Sequence, residues 1–475
     1  MSEDVGREPV AGHETGGAED RIRSVVKDCV HCGFCLPACP TYSLWGEEMD
    51  SPRGRIYLVG ELLDGAPLTQ AAGEHFDRCL GCMACMTACP SGVQYDQIIA
   101  AAREWTEAAD AQPSDEGSDG LGPSGVAPGG AVPEARRPLR DRLTRAGIFA
   151  LFPYPERLRV AIAPLRALQR TGADRLIART GLVGRVSPAA EQALRLAPPA
   201  TRPMPAGRFP ERVAARGERR AVVGMLTGCV QSVFFPRVNA ATARVLAAEG
   251  CDVIIPRSQG CCGALSLHSG RAAEAVRFAQ RTIETFEAAG VDAIVVNSAG
   301  CGSAMKEYEL LFADSPEWSR RAAALSAKVR DLAEFLDSLG PVAERHPVEV
   351  RAAYHDACHL GHAQGITAAP RQLLRDVPEL ELREIPEAGM CCGSAGVYNL
   401  LQPEAAGELG QRKAQSVLTT GAQLLISANP GCSLQIASAL EAQGETIAID
   451  CLSVRDRSWS ARPPRQARES PPATA

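Results

Sequence analysis

Cys29-Val-His-Cys32-Gly-Phe-Cys35-Leu-Pro-Ala-Cys39-Pro40 places three thiols at every third residue and a fourth directly before a proline. The pattern returns fifty residues later as Cys79-Leu-Gly-Cys82-Met-Ala-Cys85-Met-Thr-Ala-Cys89-Pro90. Thiolates are the soft ligands that iron-sulfur clusters require, and this spacing lets one tight loop wrap three corners of a cube. Two copies imply two 4Fe-4S clusters.

Such runs resemble those of bacterial two-cluster ferredoxins, in which the cysteine before proline reaches the other cluster. That resemblance assigns Cys29, Cys32, Cys35 and Cys89 to one cluster, and Cys79, Cys82, Cys85 and Cys39 to the other. Zinc is the plain alternative, since C-x2-C is common in zinc sites, but zinc sites do not use the proline-terminated four-cysteine run twice. Two clusters in one small module sit near enough for single-electron hopping, which is wire chemistry and not substrate chemistry.

With 475 residues the chain has room for about three domains. A net charge of -6 argues against a nucleic-acid partner. Eighteen cysteines suit no secreted disulfide scaffold in a chain this large, and the start, Met1-Ser-Glu-Asp-Val-Gly-Arg-Glu, has no apolar signal core. The thiols are therefore expected to be reduced, in the cytoplasm. No run of about eighteen apolar residues spans a membrane, which leaves peripheral attachment to the inner face of the cell membrane open.

Residues 1–20 read as a loose leader and 21–105 as a helical ferredoxin-like domain. Within that domain a helix is expected from Pro52 to Leu63, with Ser51 as its N-cap, and another from Gln97 to Trp105. Residues 106–135, rich in Gly, Pro, Ser and Asp, read as a flexible linker. Gly120-Leu-Gly122-Pro-Ser-Gly125 matches a dinucleotide loop but follows no strand and opens no helix, so it is discarded. Nothing else resembles a flavin or nicotinamide site, and no flavin is expected on this chain. Residues 136–219 form a basic helical connector: Arg136 to Arg185 holds twelve Arg against Asp141, Glu156 and Asp174. The segment reads as connecting helices with Arg outside, or as a face for an anionic membrane or acidic partner.

From 220 onward the chain repeats itself. Cys229, Cys261-Cys262-Gly263 and Cys301 recur as Cys358, Cys391-Cys392-Gly393 and Cys432, at offsets of 129, 130, 130 and 131 residues. Each half alternates strand-like runs (Ala221–Leu226, Asp252–Ile255, Ala293–Val296; Val350–Tyr354, Gln423–Ile426) with helix-like ones (Val238–Glu249, Ala272–Ala289; a stretch from Pro403). The fold class expected is α+β multidomain: the helical two-cluster module, then two tandem α/β Cys-Cys-Gly domains over 220–340 and 341–455, with a disordered tail over 456–475. The cysteines follow strand ends, where parallel sheets place ligands.

The Cys-Cys-Gly thiols can be buried small hydrophobes, but the same constellation twice favours metal ligation by Cys229, Cys261, Cys262 and Cys301, and by Cys358, Cys391, Cys392 and Cys432. They point to further iron-sulfur centres or a redox-active thiol site. Cys251 and Cys451 fall outside the repeat and read as core. His355, His359 and His362 flank Cys358 as candidates for ligation or proton relay, without counterparts in the first half. No catalytic residue is assigned.

Cys29-Val-His-Cys-Gly-Phe-Cys, Ser51-Pro-Arg-Gly-Arg-Ile-Tyr, Asp77-Arg-Cys-Leu, Asn239-Ala-Ala-Thr-Ala-Arg-Val-Leu, Gly260-Cys-Cys-Gly, Ser298-Ala-Gly-Cys-Gly and Cys391-Cys-Gly-Ser-Ala-Gly resemble the iron-sulfur subunits of bacterial glycolate oxidases. The resemblance implies a peripheral subunit that is inactive alone. It would take electrons from flavin-containing 2-hydroxy acid dehydrogenase subunits oxidising glycolate to glyoxylate, and pass them to a quinone or other membrane acceptor. Related subunits serve lactate, glycerol-3-phosphate or heterodisulfide chemistry. In that wider group the motif often ends in C-x-x-C, whereas Cys301-Gly-Ser-Ala304 and Cys432-Ser-Leu-Gln435 lack the last thiol, which argues against a five-cysteine double-cubane-like site.

Overall fold

The computed structural model of the chain describes residues 17–111, 128, 135–173, 183, 185, 188–197 and 209–450. Most of the expected leader, linker and tail, the Gly120–Gly125 match and Cys451 lie outside the described residues.

The twin cysteine runs lie in loops between short helices. Helices Ala18–Lys27, Pro52–Leu63, Gln70–Arg78 and Tyr95–Ala111 pack around a core that includes Ile22, Val25, Ile56, Val59, Phe76, Ile98 and Ala102. Burying each of the larger side chains contributes about 1.5–3 kcal/mol. Ser51 caps Pro52–Leu63 by accepting from the Gly54 N–H at 3.0 Å. Two expected boundaries move. The first helix begins at Ala18, inside the expected leader, because Ile22 and Val25 give it an apolar face to bury. The last runs to Ala111, past the expected boundary at 105, because Thr106 and Ala109 continue the buried stripe of Ile98, Ala102 and Trp105 at helical spacing.

The connector forms helices Leu139–Leu151, Pro155–Thr171 and Pro188–Leu196. Its arginines do not all face solvent. Arg137 and Arg145 are buried, and Arg137 holds Asp77 with two charge-assisted bonds of 2.6 and 2.9 Å and Asp110 with a third of 2.6 Å. Arg145 reaches the same Asp77 at 2.9 Å. These pairs lock the connector to the cysteine module, and removing one partner would leave a buried charge at a cost of about 3–5 kcal/mol.

The repeat folds as two parallel sheets. The first contains β1 (Arg212–Val213), β2 (Ala221–Leu226), β3 (Cys251–Ile254), β4 (Ala293–Val296) and β5 (Val329–Asp331), in the order β1-β3-β2-β4-β5, with only β1 antiparallel. The second contains β6 (Val350–His355), β7 (Leu380–Arg383), β8 (Leu424–Ser427) and β9 (Ala448–Asp450), ordered β7-β6-β8-β9 and wholly parallel. Leu226 pairs with Val296 in the first sheet and His355 with Ser427 in the second, so these are corresponding register positions.

One core joins the halves: Val223, Met225 and Val253 of the first sheet pack in the same cluster as Ala352, Tyr354 and Ile426 of the second. At the strand ends the Ala299 N–H donates to the Ala428 carbonyl at 3.0 Å, and Ser298 Oγ lies 3.4 Å from Asn429 Oδ1. Ser298 and Asn429 occupy the same place in the repeat, so the halves meet through equivalent positions, as an isologous pairing requires.

Candidate metal centres

A small cavity of about 30 Å³ is lined by Cys29, Cys32, Cys35, Cys85 and Cys89. Cys39, Cys79 and Cys82 do not line it. Burial raises the Cys85 thiol, and Cys82, Cys79, Cys39 and Cys35 lie close enough to raise it further. Cys89 does the same to Cys29. Cys89 thus lines one cavity with Cys29, Cys32 and Cys35, while Cys39 lies within charge range of Cys82, Cys85 and Cys35, and the thiols offer the donor chemistry an iron-sulfur cube needs.

Ser51-Pro-Arg-Gly-Arg serves both groups from one helix. Arg53 binds Glu48 at 2.6 Å and leans over the first loop, where its guanidinium would lie 2.7 Å from a Cβ at Gly33. Arg55 is buried, donating to the Asp50 carbonyl and the His75 carbonyl at 2.6 Å each and to the Asp50 carboxylate at 3.2 Å. Between them Gly54 presses on the turn before it: a Cβ there would stand 2.0 Å from the Glu48 carbonyl oxygen.

Electrostatics distinguish the thiols. Burial pushes Cys82 and Cys85 well above the ordinary cysteine value. Burial also raises Cys79, but the Arg55 and Arg103 guanidiniums, the Gly81 N–H at 3.3 Å and the Tyr95 hydroxyl at 3.6 Å outweigh it and bring the net value below normal.

The second cysteine loop is seated on the second half of the repeat. Leu80, Cys82 and Ala84 share a buried cluster with Cys358, Cys391 and Tyr398, and Cys82 is close enough to Cys358 and Cys391 for their charges to interact. Thiol contacts then run from Cys358 to Cys391, Cys392 and Cys432. The first half repeats the chain of contacts from Cys229 to Cys261, Cys262 and Cys301. Gly263 and Gly393 explain the third letter of the motif: both have φ near the left-handed region, +85° and +87°, and a Cβ would approach the Ala275 and Ala406 carbonyl oxygens to 3.1 and 2.6 Å. Cys251 sits in β3 in the core, away from these sets, its thiol pushed up by burial to about 11.

The three histidines near Cys358 part company. His359 has Nδ1 3.8 Å from Cys358 Sγ and stacks on His268 of the first half at 4.8 Å between ring centroids. His362 bonds Thr87 and the Gly389 carbonyl, and His355 points among the thiols of Cys392 and Cys432. Sequence reasoning missed His268, Arg103 and Tyr398. They line, with His359, Leu80 and Met83, a cleft of about 650 Å³ where the cysteine module meets both halves. Only the position of His268 six residues after Cys262 could have flagged it.

Residues 25–93 match the model of a 4Fe-4S dicluster domain, 140–197 the linker region of glycolate oxidase iron-sulfur subunits, and 223–306 and 352–437 a cysteine-rich domain. A Bacillus subtilis protein named "Probable glycolate oxidase iron-sulfur subunit" is 35% identical over 439 residues, 90% of this chain and 92% of its own. The Escherichia coli glycolate oxidase iron-sulfur subunit is 33% identical over 421 residues, covering 88% and 91%. The chain belongs to the glycolate oxidase iron-sulfur subunit family. Lactate utilization protein A of Shouchella clausii is 35% identical over 233 residues, but over only 48% of this chain. Membership in the glycolate oxidase iron-sulfur subunit family, with the dicluster match, supports iron-sulfur clusters and an electron-transfer role. Among the described residues no helix is long and apolar enough to cross a membrane.

Proposed function

We propose that this chain is the electron-transfer subunit of a flavin-dependent complex that oxidises glycolate to glyoxylate. Each turnover releases two electrons and two protons at the partner's flavin. The electrons pass singly through one 4Fe-4S cluster held by Cys29, Cys32, Cys35 and Cys89 and a second held by Cys79, Cys82, Cys85 and Cys39, then leave for a downstream acceptor in the membrane. The chain itself carries no flavin, is inactive alone and works in the cytoplasm, peripheral to the membrane's inner face.

The observation that carries this reading is Cys82 against Cys358 and Cys391. It gives the second cluster an exit toward the repeat and toward the cleft lined by His268, His359 and Tyr398, a volume that suits a small acceptor. The thiol contact between Cys358 and Cys391, with His359 beside it, favours one other reading: a catalytic thiol or disulfide reductase site fed by the clusters, as in heterodisulfide systems. The test is anaerobic purification of the chain alone. It should contain iron and sulfide but no flavin and turn over no glycolate until a flavoprotein partner is added. Glycolate oxidation by the pure chain overturns the proposal. Disulfide turnover that is lost on Cys391→Ser while both cluster signals persist would establish the second reading instead.

A further inference from the structure

His355 ends β6 with 1% of its surface exposed, and neither ring nitrogen has a hydrogen-bond partner. Leaving a polar nitrogen buried and unpaired is costly, so a native fold that keeps one there needs a reason. The reason lies opposite. A ring nitrogen of His355 and the sulfurs of Cys392 and Cys432 all fall within 4.8 Å of one another. Cys392 and Cys432 are 1% and 4% exposed.

The halves differ here. The register position of His355 in the first sheet is Leu226, which packs in an apolar cluster with Cys262 and Val296. The thiols recur in both halves, but the nitrogen belongs to the second alone. Both halves lack the thiol that often ends the motif, with Ala304 and Gln435 in its place.

We infer that His355, Cys392 and Cys432 ligate one four-coordinate divalent metal ion, zinc or ferrous iron, with Cys391 as the adjoining thiol for the fourth position. Around one tetrahedral ion, with bonds of about 2.0–2.3 Å, imidazole and thiolate donors stand roughly 3.4–3.8 Å apart, a spacing the three atoms reach with small adjustment. The thiolates of a cubane each hold a separate iron and stand wider. Cys432 lies in the first turn of helix Pro430–Ala442 and accepts from Asn429 Nδ2 at 3.4 Å. A buried, closed donor set is the character of a structural site. The ion therefore fixes the Cys391-Cys392 turn against β6 and β8, and Cys358 remains the thiol that faces Cys82.

The full chain, purified anaerobically, provides the test through its metal content. One divalent ion per chain is expected beyond the iron of the two cubanes. His355→Leu, which installs the first half's residue, should lose that ion with both cubane signals intact, and His355→Cys should keep it. Loss of zinc or loss of one iron identifies the ion, and either supports the site. Equal metal content in wild type and His355→Leu overturns it, as does a wild type with no metal beyond the cubanes. Should His355→Leu fail to fold, X-ray absorption of the wild type at the edge of the extra metal decides. A nitrogen scatterer at about 2.0–2.1 Å supports ligation by His355, and an all-sulfur shell overturns it.

Discussion

Thr87 Oγ1 lies 2.9 Å from Nδ1 of His362, across 275 residues of sequence. The other ring nitrogen of His362 donates to the Gly389 carbonyl at 2.8 Å, which leaves Nδ1 to accept from the Thr87 hydroxyl. Arg103 makes a second clasp, donating to the Cys79 carbonyl and, at 2.6 Å, to the His268 carbonyl. The second cysteine loop is thus tied to both halves of the repeat, and the path proposed for electrons crosses a fixed junction.

Arg103→Met should loosen that junction and remove a positive charge from beside Cys79. Reduction adds negative charge to a cluster, so losing a nearby cation makes reduction harder. The midpoint potential of the cluster at Cys79 should fall by roughly tens of millivolts. Redox titration followed by electron paramagnetic resonance checks this, with the cluster at Cys29 as the internal control. Equal shifts in both clusters would contradict the electrostatic account.

Cys39→Ser should damage the cluster at Cys79, Cys82 and Cys85, although Cys39 belongs by sequence to the first run. Iron should fall from about eight to about four atoms per chain, with one cluster signal remaining. Cys89→Ser should damage the other cluster. Retention of the cluster at Cys79 in Cys39→Ser, with loss of the one at Cys29, would reverse the crossed assignment.

Gly54→Ala should destabilise the cysteine module by about 1–3 kcal/mol or more, because the new Cβ meets backbone and not a movable side chain. Thermal unfolding and iron retention report the effect. An unchanged melting temperature would show that the Glu48 turn yields freely.

Acid should open the junction. Burial, the neighbouring His359 and Arg103 hold the His268 imidazole well below its ordinary value, so the folded ring stays neutral. The unfolded chain takes up a proton below about pH 6.5 that the folded chain does not, so stability falls as pH drops through that value. His268→Phe should flatten the dependence. Denaturant unfolding at pH 7.5 and pH 5.5 measures both chains, and equal slopes would refute the assignment.

Much of the fold is written in local pattern. Ser51-Pro52 marks a helix start because a hydroxyl cap and a fixed φ act within one turn, and the repeat is visible because its cysteines keep their offsets. What the sequence hides is contact at long range. Arg137 and Arg145 read as solvent-facing charges because their partners, Asp77, Glu107 and Asp110, lie up to sixty-eight positions away. The cleft is invisible for the same reason: Arg103, His268, His359 and Tyr398 come from four separate elements. His355 could be suspected from its place near Cys358, but only the register of β6 with β8 turns it toward Cys392 and Cys432.

The central claim, that these clusters carry electrons out of glycolate oxidation, is tested most directly by mixing the assembled flavoprotein complex with glycolate and freeze-quenching it for electron paramagnetic resonance. Both cluster signals should rise at least as fast as glyoxylate forms and decay when the acceptor is added. Glyoxylate production with the clusters still oxidised, or clusters reduced more slowly than turnover, would contradict it.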